Sequence, residues 1–172
     1  FPYSKSSFCL QPSDPEALHM MTAIGQGDTL VTPMHMAMLM SAVANDGVLM
    51  TPRFLDRTES YTGAVIVEKY PSTVYGALMT PEEAKLLQEY LRGVVEEGTA
   101  SRLQSDRYLA AGKTGTAEYS SDKNKSHAWF TGYVSGEKPD LAVCVLVEGA
   151  GSGSEYAVPV AKRIFDAYYE EE

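Results

Sequence analysis

Four consecutive residues, Lys113-Thr114-Gly115-Thr116, combine a cation, two hydroxyls and a position without a side chain. They lie within Ala110–Glu118, a stretch that reads as a β-strand. Gly115 removes the Cβ that would hold a ligand's backbone away from that strand. An open strand edge can then accept a peptide-like ligand as an added strand, with main-chain hydrogen bonds supplying affinity. Lys113 offers a positive charge suited to a carboxylate, or to lowering a neighbour's pKa. Thr114 and Thr116 offer hydroxyl donors, and the Thr116 backbone N–H is a candidate member of an oxyanion hole. Taken alone, the triplet reads more simply as an ordinary strand with an exposed lysine.

The elements that must position these residues are legible from periodicity and caps. Glu16–Ala23 reads as a short helix ending in the turn-forming cluster Gly25-Gln26-Gly27-Asp28, after an irregular lead-in over Phe1–Asp14. Thr32 suits an N-cap, Pro33 the first helical position and Gly47 the stop, which predicts a helix over Pro33–Asn45. That helix is apolar nearly all round, so burial on most sides is expected. Its methionines read as adaptable core filling and His35 as a partly buried packing residue. Val48–Tyr75 holds short β-type runs, Val65-Ile66-Val67 the clearest, and predicts a strand or hairpin over a surface loop. Thr80-Pro81-Glu82-Glu83 is a capping box with proline at the first position. The helix it opens has Ala84, Leu87, Leu91, Val94 and Val95 on one face and ends at Gly98.

Beyond Tyr108 the pattern becomes three strands, Tyr108–Glu118, Ala128–Val134 and Leu141–Glu148. Short connections favour antiparallel neighbours. Leu141–Val147 is apolar on both faces and is expected to be a central strand covered on both sides. A last helix should present Ala157, Val160, Ala161, Ile164, Phe165 and Tyr168 on one stripe, with Pro159 tolerable only near its start. The fold class is therefore α/β of the α+β type, an antiparallel sheet flanked by helices. The helix Pro33–Asn45 would belong to a helical subdomain.

Composition narrows the partners. The 172 residues are 44% apolar, enough for one domain with a real core. Fourteen basic against 23 acidic residues give a net charge of −9, which disfavours nucleic acid. Cys144, inside an apolar run, reads as a small core residue, and a disulfide with the distant Cys9 is disfavoured. No apolar run is long enough to span a bilayer.

Five further blocks accompany the Lys-Thr-Gly strand in order. They are Thr22-Ala23-Ile24-Gly25-Gln26-Gly27, Val31-Thr32-Pro33, Ala44-Asn45-Asp46-Gly47, Glu97-Gly98-Thr99-Ala100 and His127-Ala128-Trp129-Phe130-Thr131-Gly132-Tyr133. With them the chain, from about Thr22 to its end, resembles the C-terminal part of the transpeptidase domain of class B penicillin-binding proteins. That family comprises the serine D,D-transpeptidases that cross-link peptidoglycan. The resemblance implies a penicillin-binding/β-lactamase-like transpeptidase fold, here incomplete. It implies a peptidoglycan stem peptide and β-lactam antibiotics as ligands, an acyl-serine intermediate and no metal or cofactor. It implies Lys113 as a cation near the reacting centre, Thr114 for the substrate or drug carboxylate, Gly115 for close approach and Thr116 for the oxyanion. The parent protein would be membrane-anchored, with this domain on the extracytoplasmic face of a bacterial cell membrane.

The departures from the family pattern are as informative as the matches. Ser-x-Asn is absent, and Ser-x-x-Lys occurs only at Ser120-Ser121-Asp122-Lys123 and Ser135-Gly136-Glu137-Lys138. Both lie in polar loops after the strand. A nucleophilic serine needs its lysine one helical turn away to take the hydroxyl proton. Residues 1–172 are therefore expected to be the C-terminal portion of the domain, with the nucleophile in preceding sequence and this piece inactive alone. The N-terminal half would be its partner, and self-association of the isolated piece is expected. Gly149-Ala150-Gly151-Ser152-Gly153-Ser154 has the placement of a dinucleotide loop, but Ser154 stands at the third glycine position, and a flexible connection is the better reading. His127 is expected to have a structural role at a strand edge, and Trp129 to be a core or cleft-wall aromatic. Two alternatives remain: a β-lactamase or β-lactam-sensing receptor of the same fold, and a non-catalytic binding or scaffold module.

Overall fold

The computed structural model describes residues 4–67, 70–120, 122, 125–136 and 141–170. Its elements run α1 (Glu16–Ala23), α2 (Pro33–Ala44), β1 (Val48–Met50), β2 (Thr58–Glu59), β3 (Val65–Val67), β4 (Val74–Ala77), α3 (Pro81–Glu96), β5 (Leu109–Glu118), β6 (Ser126–Ser135), β7 (Leu141–Val147) and α4 (Val158–Glu170). Helix starts follow the predicted chemistry. The Thr32 hydroxyl accepts from the His35 N–H at 3.2 Å, with Pro33 behind it. Thr80 and Glu83 close both halves of the capping box, Glu83 N–H to Thr80 Oγ1 at 3.2 Å and Thr80 N–H to Glu83 Oε2 at 2.8 Å. The backbone and side-chain hydrogen bonds from Thr80 hold the Glu83 carboxyl below its ordinary pKa.

The main sheet has the order β5-β6-β7, all antiparallel. β6 is the central strand, and Leu141–Val147, expected at the centre, is an edge among the described residues. Its apolar residues are explained by its faces, because α2 packs on one side and α4 on the other. Residues 48–77 form two small antiparallel pairs, β1–β4 and β2–β3, in place of the expected strand or hairpin.

Two hydrophobic clusters sandwich the sheet. The larger joins Ala110, Phe130, Val134 and Val145 of the sheet to Val95, Leu103 and the α4 residues Val158, Ala161 and Phe165. Gly112 and Gly132, opposite each other in the β5–β6 register, leave room for the Phe130 ring. A Cβ on Gly112 would lie 2.5 Å from that ring and one on Gly132 would lie 2.6 Å from it. The smaller cluster joins Ala111 and Tyr133 to Met40 and Val43 of α2.

Three burial expectations need correction. In α2 only Met40, Ala42 and Val43 are buried, and Met34 in its first turn is 48% exposed. His35 is exposed, with Nδ1 2.8 Å from Ser6 Oγ, so it is a surface tether rather than packing. Of the stripe expected on α4, Ala157, Ala161 and Phe165 are buried, but Val158 joins them, Tyr169 is partly buried beside them, and Val160 and Ile164 face out. A wide turn over Gly153–Ala157 enters this helix and sets a phase that simple 3.6-residue counting does not give. Pro159 is the second residue of α4, which directly follows the wide turn Gly153–Ala157.

Candidate functional site

β5 changes character along its length. Ala110, Ala111 and Gly112 are buried, whereas Lys113 and Thr116 are exposed and Thr114 and Gly115 half-buried. Helix α3 explains the change. It gives Leu91 to the smaller cluster and Val94 and Val95 to the larger, so it lies along the outer edge of β5 rather than on one face. α3 ends at Glu96, and beyond the turn Glu97–Ala100 the β5 edge is left without a covering helix or strand among the described residues. Lys113–Thr116 occupies that uncovered length.

Alternation divides the four residues between the two faces of the sheet. Lys113 and Gly115 share a face with Ala111, toward α2, and pair with Thr131 and Trp129 of β6. Thr114 and Thr116 share the other face and pair with Phe130 and Ala128. The Lys113 ammonium donates to the Thr114 carbonyl oxygen at 3.0 Å, folding the side chain back along the strand. The hydroxyls of Thr114 and Thr99 lie 2.7 Å apart. The Gln26 side-chain amide donates to the Thr116 carbonyl oxygen at 3.2 Å, which brings the Gly25-Gln26-Gly27 turn to the end of the uncovered edge. Gly25 and Gly27 have φ of +82° and +92°, a conformation that L side chains rarely adopt.

Close packing sits behind this edge. A Cβ on Gly153 would lie 2.3 Å from the Trp129 carbonyl oxygen and 2.5 Å from that of Gly115. The Gly-Ser segment after β7 is thus pressed onto the β5–β6 ladder at the Gly115–Trp129 pair, which corrects its reading as a mere connection. Trp129 is half-buried, and its indole N–H is a buried donor without a partner among the described residues. His127 Nδ1 accepts the Gly149 N–H at 3.0 Å, and its ring stacks on Tyr119 with centroids 4.3 Å apart, a structural role at the strand end.

Other sequence candidates stand apart from this edge. Of the two Ser-x-x-Lys matches, Ser121, Lys123, Glu137 and Lys138 lie outside the described residues. Cys9 is exposed and Cys144 partly buried, and both are free thiols. Burial pushes the Cys144 thiol up to about 11, against a smaller opposing effect of its hydrogen bond with Thr131. A cleft of about 350 Å³ between α3 and the start of β5 is lined by Asp46, Lys85, Gln88, Arg92 and Tyr133. It shares no lining residue with Lys113–Thr116, which lies on an edge rather than in an enclosed hollow.

The four strand residues are recognisable by type, whereas nothing in the sequence marks Thr99, Gln26 or Gly153 for a role. Thr99 and Gln26 stand only within the blocks Glu97–Ala100 and Thr22–Gly27. Their contacts with Thr114 and Thr116 span sequence separations of 15 and 90 residues, which no local pattern reports.

Comparison with known proteins places the chain in a family. The sequence matches the penicillin binding protein transpeptidase domain over residues 1–167. It is 32% identical over 163 residues to the peptidoglycan D,D-transpeptidase MrdA of Haemophilus influenzae, covering 84% of this chain and 25% of that protein. It is 30% identical over 154 residues to the peptidoglycan D,D-transpeptidase PbpA of Mycolicibacterium smegmatis, covering 86% of this chain and 31% of that one. Its fold superposes on penicillin-binding protein A from M. tuberculosis, solved as a ceftriaxone acyl-enzyme complex, with a TM-score of 0.84 and 27% identity. That match covers 98% of this chain and 38% of the solved one, so the chain spans a quarter to two-fifths of these relatives. The chain belongs to the penicillin-binding protein transpeptidase domain family.

Proposed function

We propose that residues 1–172 form the substrate-holding wall of a peptidoglycan D,D-transpeptidase, with the uncovered end of β5 as the docking edge. The observation that carries this reading is that Lys113-Thr114-Gly115-Thr116 falls within the stretch of β5 that no helix or strand covers beyond the end of α3 among the described residues. A stem peptide laid along that edge gains main-chain hydrogen bonds, and Gly115 lets it approach without a Cβ. Lys113 supplies positive charge at the reacting centre, Thr114 a hydroxyl for the carboxylate of a peptide or β-lactam, and Thr116 a backbone N–H for the developing oxyanion. The acyl-accepting serine is expected in sequence outside these residues, since no Ser-x-Asn and no helix-borne Ser-x-x-Lys accompany the strand.

The parent would work on the extracytoplasmic face of the cell membrane. Among the described residues no helix is long and apolar enough to cross a membrane. Phe8, Met20, Ile24 and Leu30 are each at least 65% exposed, an apolar surface suited to the N-terminal half of the domain or, in the isolated piece, to self-association.

Labelling with a fluorescent penicillin, followed by denaturing electrophoresis, tests the reading. The full-length parent should form a covalent band and residues 1–172 alone should not. A labelled 1–172 band would place the nucleophile inside this chain. An unlabelled parent would favour a non-catalytic module.

A further inference from the structure

Thr99 lies outside the Lys113–Thr116 stretch, yet its hydroxyl is 2.7 Å from that of Thr114, the usual separation of an O–H···O hydrogen bond. The turn that carries it is closely held. A Cβ on Gly98 would lie 2.8 Å from the Val94 carbonyl oxygen, and Ala100 on the other side is fully buried. The Ala100 N–H donates to that same carbonyl at 3.1 Å. Thr99 therefore presents its side chain from a fixed backbone, at the point where α3 stops covering β5.

Each hydroxyl has one proton and two lone pairs. Two hydroxyls bonded to each other use one proton between them, and the direction of that bond decides what Thr114 offers to a ligand. If Thr114 donates to Thr99, only its lone pairs remain, and they repel a carboxylate. If Thr99 donates to Thr114, the Thr114 proton is free for an anionic oxygen, and the incoming bond polarises it toward stronger donation.

We infer that Thr99 is a positioning residue for carboxylate recognition: it donates to Thr114 and so orients the Thr114 hydroxyl toward a carboxylate on the ligand. This rests on the reading of Thr114 as a carboxylate donor. The structure already supplies the partner distance, so an anion needs only to select one of two proton directions.

The test uses the full-length parent and compares acylation rates for a penicillin and for its methyl ester, which lacks the anion. Thr99→Val replaces the hydroxyl with a methyl of similar size on an exposed side chain, and Thr99→Ser restores the donor. Thr99→Val should slow acylation by the acid about tenfold, the scale of weakening one hydrogen bond to a charged group, and leave the ester rate unchanged. Thr99→Ser should recover most of the loss. In a Thr114→Val background, Thr99→Val should have no further effect. Melting temperatures measured alongside, with Thr99→Ala as a second variant, separate misfolding from lost orientation. Equal slowing of acid and ester, or additive effects of Thr99→Val and Thr114→Val, would overturn the inference while leaving the proposed function standing. A wild-type parent acylated by neither compound would remove both.

Discussion

β5 and β7 occupy matching places on either side of β6, yet they are different kinds of edge. β7 is Leu141-Ala142-Val143-Cys144-Val145-Leu146-Val147, apolar throughout, with α2 on one face and α4 on the other. β5 is apolar only over its first residues, where α3 runs beside it, and polar where α3 has ended. One strand is used for packing along its whole length. The other is half packing and half docking edge. A strand's composition reports what its two faces meet, whereas pairing partners are set by the neighbours its edges find.

The largest expected difference between the two edges is in stability. Val145, 7% exposed, belongs to the larger cluster, and Val145→Asp would place an unpaired carboxylate there. Urea denaturation should show a loss of about 4 kcal/mol or more, or no cooperative transition at all. If the loss were under about 1 kcal/mol, β7 would not be the packed strand described here.

Within β5 itself, two glycines three positions apart should separate packing from docking. Gly112→Ala puts a methyl 2.5 Å from the Phe130 ring and 2.7 Å from the Thr131 carbonyl oxygen, a clash worth about 1–3 kcal/mol in denaturant. Gly115→Ala meets the Trp129 side chain, with Cβ at 3.2 Å and Cγ at 3.9 Å, so stability should fall by less than about 1 kcal/mol while penicillin acylation of the parent slows. Equal stability losses at the two positions would erase the distinction between the halves of β5.

A smaller effect concerns the thiols. Cys144 on β7, its thiol pushed up to about 11 mainly by burial, should resist iodoacetamide at pH 8 because the thiolate is the reacting form. Cys9, which is exposed, should be alkylated first, as read by mass spectrometry. Reaction of Cys144 at a matching rate would show that the faces of β7 are less covered than described.

The same contrast explains how much was legible in the sequence. Thr32-Pro33 and Thr80-Pro81-Glu82-Glu83 marked their helices because a cap is a local hydrogen-bonding pattern within four residues. The three strands and their antiparallel order followed from short connections. Leu141–Val147 reads as a central strand because apolar residues on both faces report covered faces and say nothing of which strands pair with its edges. Ala157, Ala161 and Phe165 are buried as the α4 stripe predicts, but Val160 and Ile164 are not, because the turn at Gly153–Ala157 packs on β5 and β6, where a Cβ on Gly153 would clash with the Gly115 and Trp129 carbonyls. Lys113–Thr116 was recognisable by residue type, but its exposure depends on where α3 stops. The contacts of Thr99 and Gln26 are tertiary and left no trace in spacing.

The central claim is that the bare end of β5 holds substrate rather than stabilising the fold. Lys113→Ala in the full-length parent tests it most directly, with melting temperature and the rate of fluorescent-penicillin acylation measured on the same preparation. Lys113 is exposed, and its one hydrogen bond among the described residues goes to its own neighbour's carbonyl, so the fold should hold to within about 0.5 kcal/mol. Acylation should fall by at least about a hundredfold, the scale of losing an electrostatic stabiliser at a reacting centre. A variant that melts like the wild type and is acylated at the wild-type rate would contradict the account.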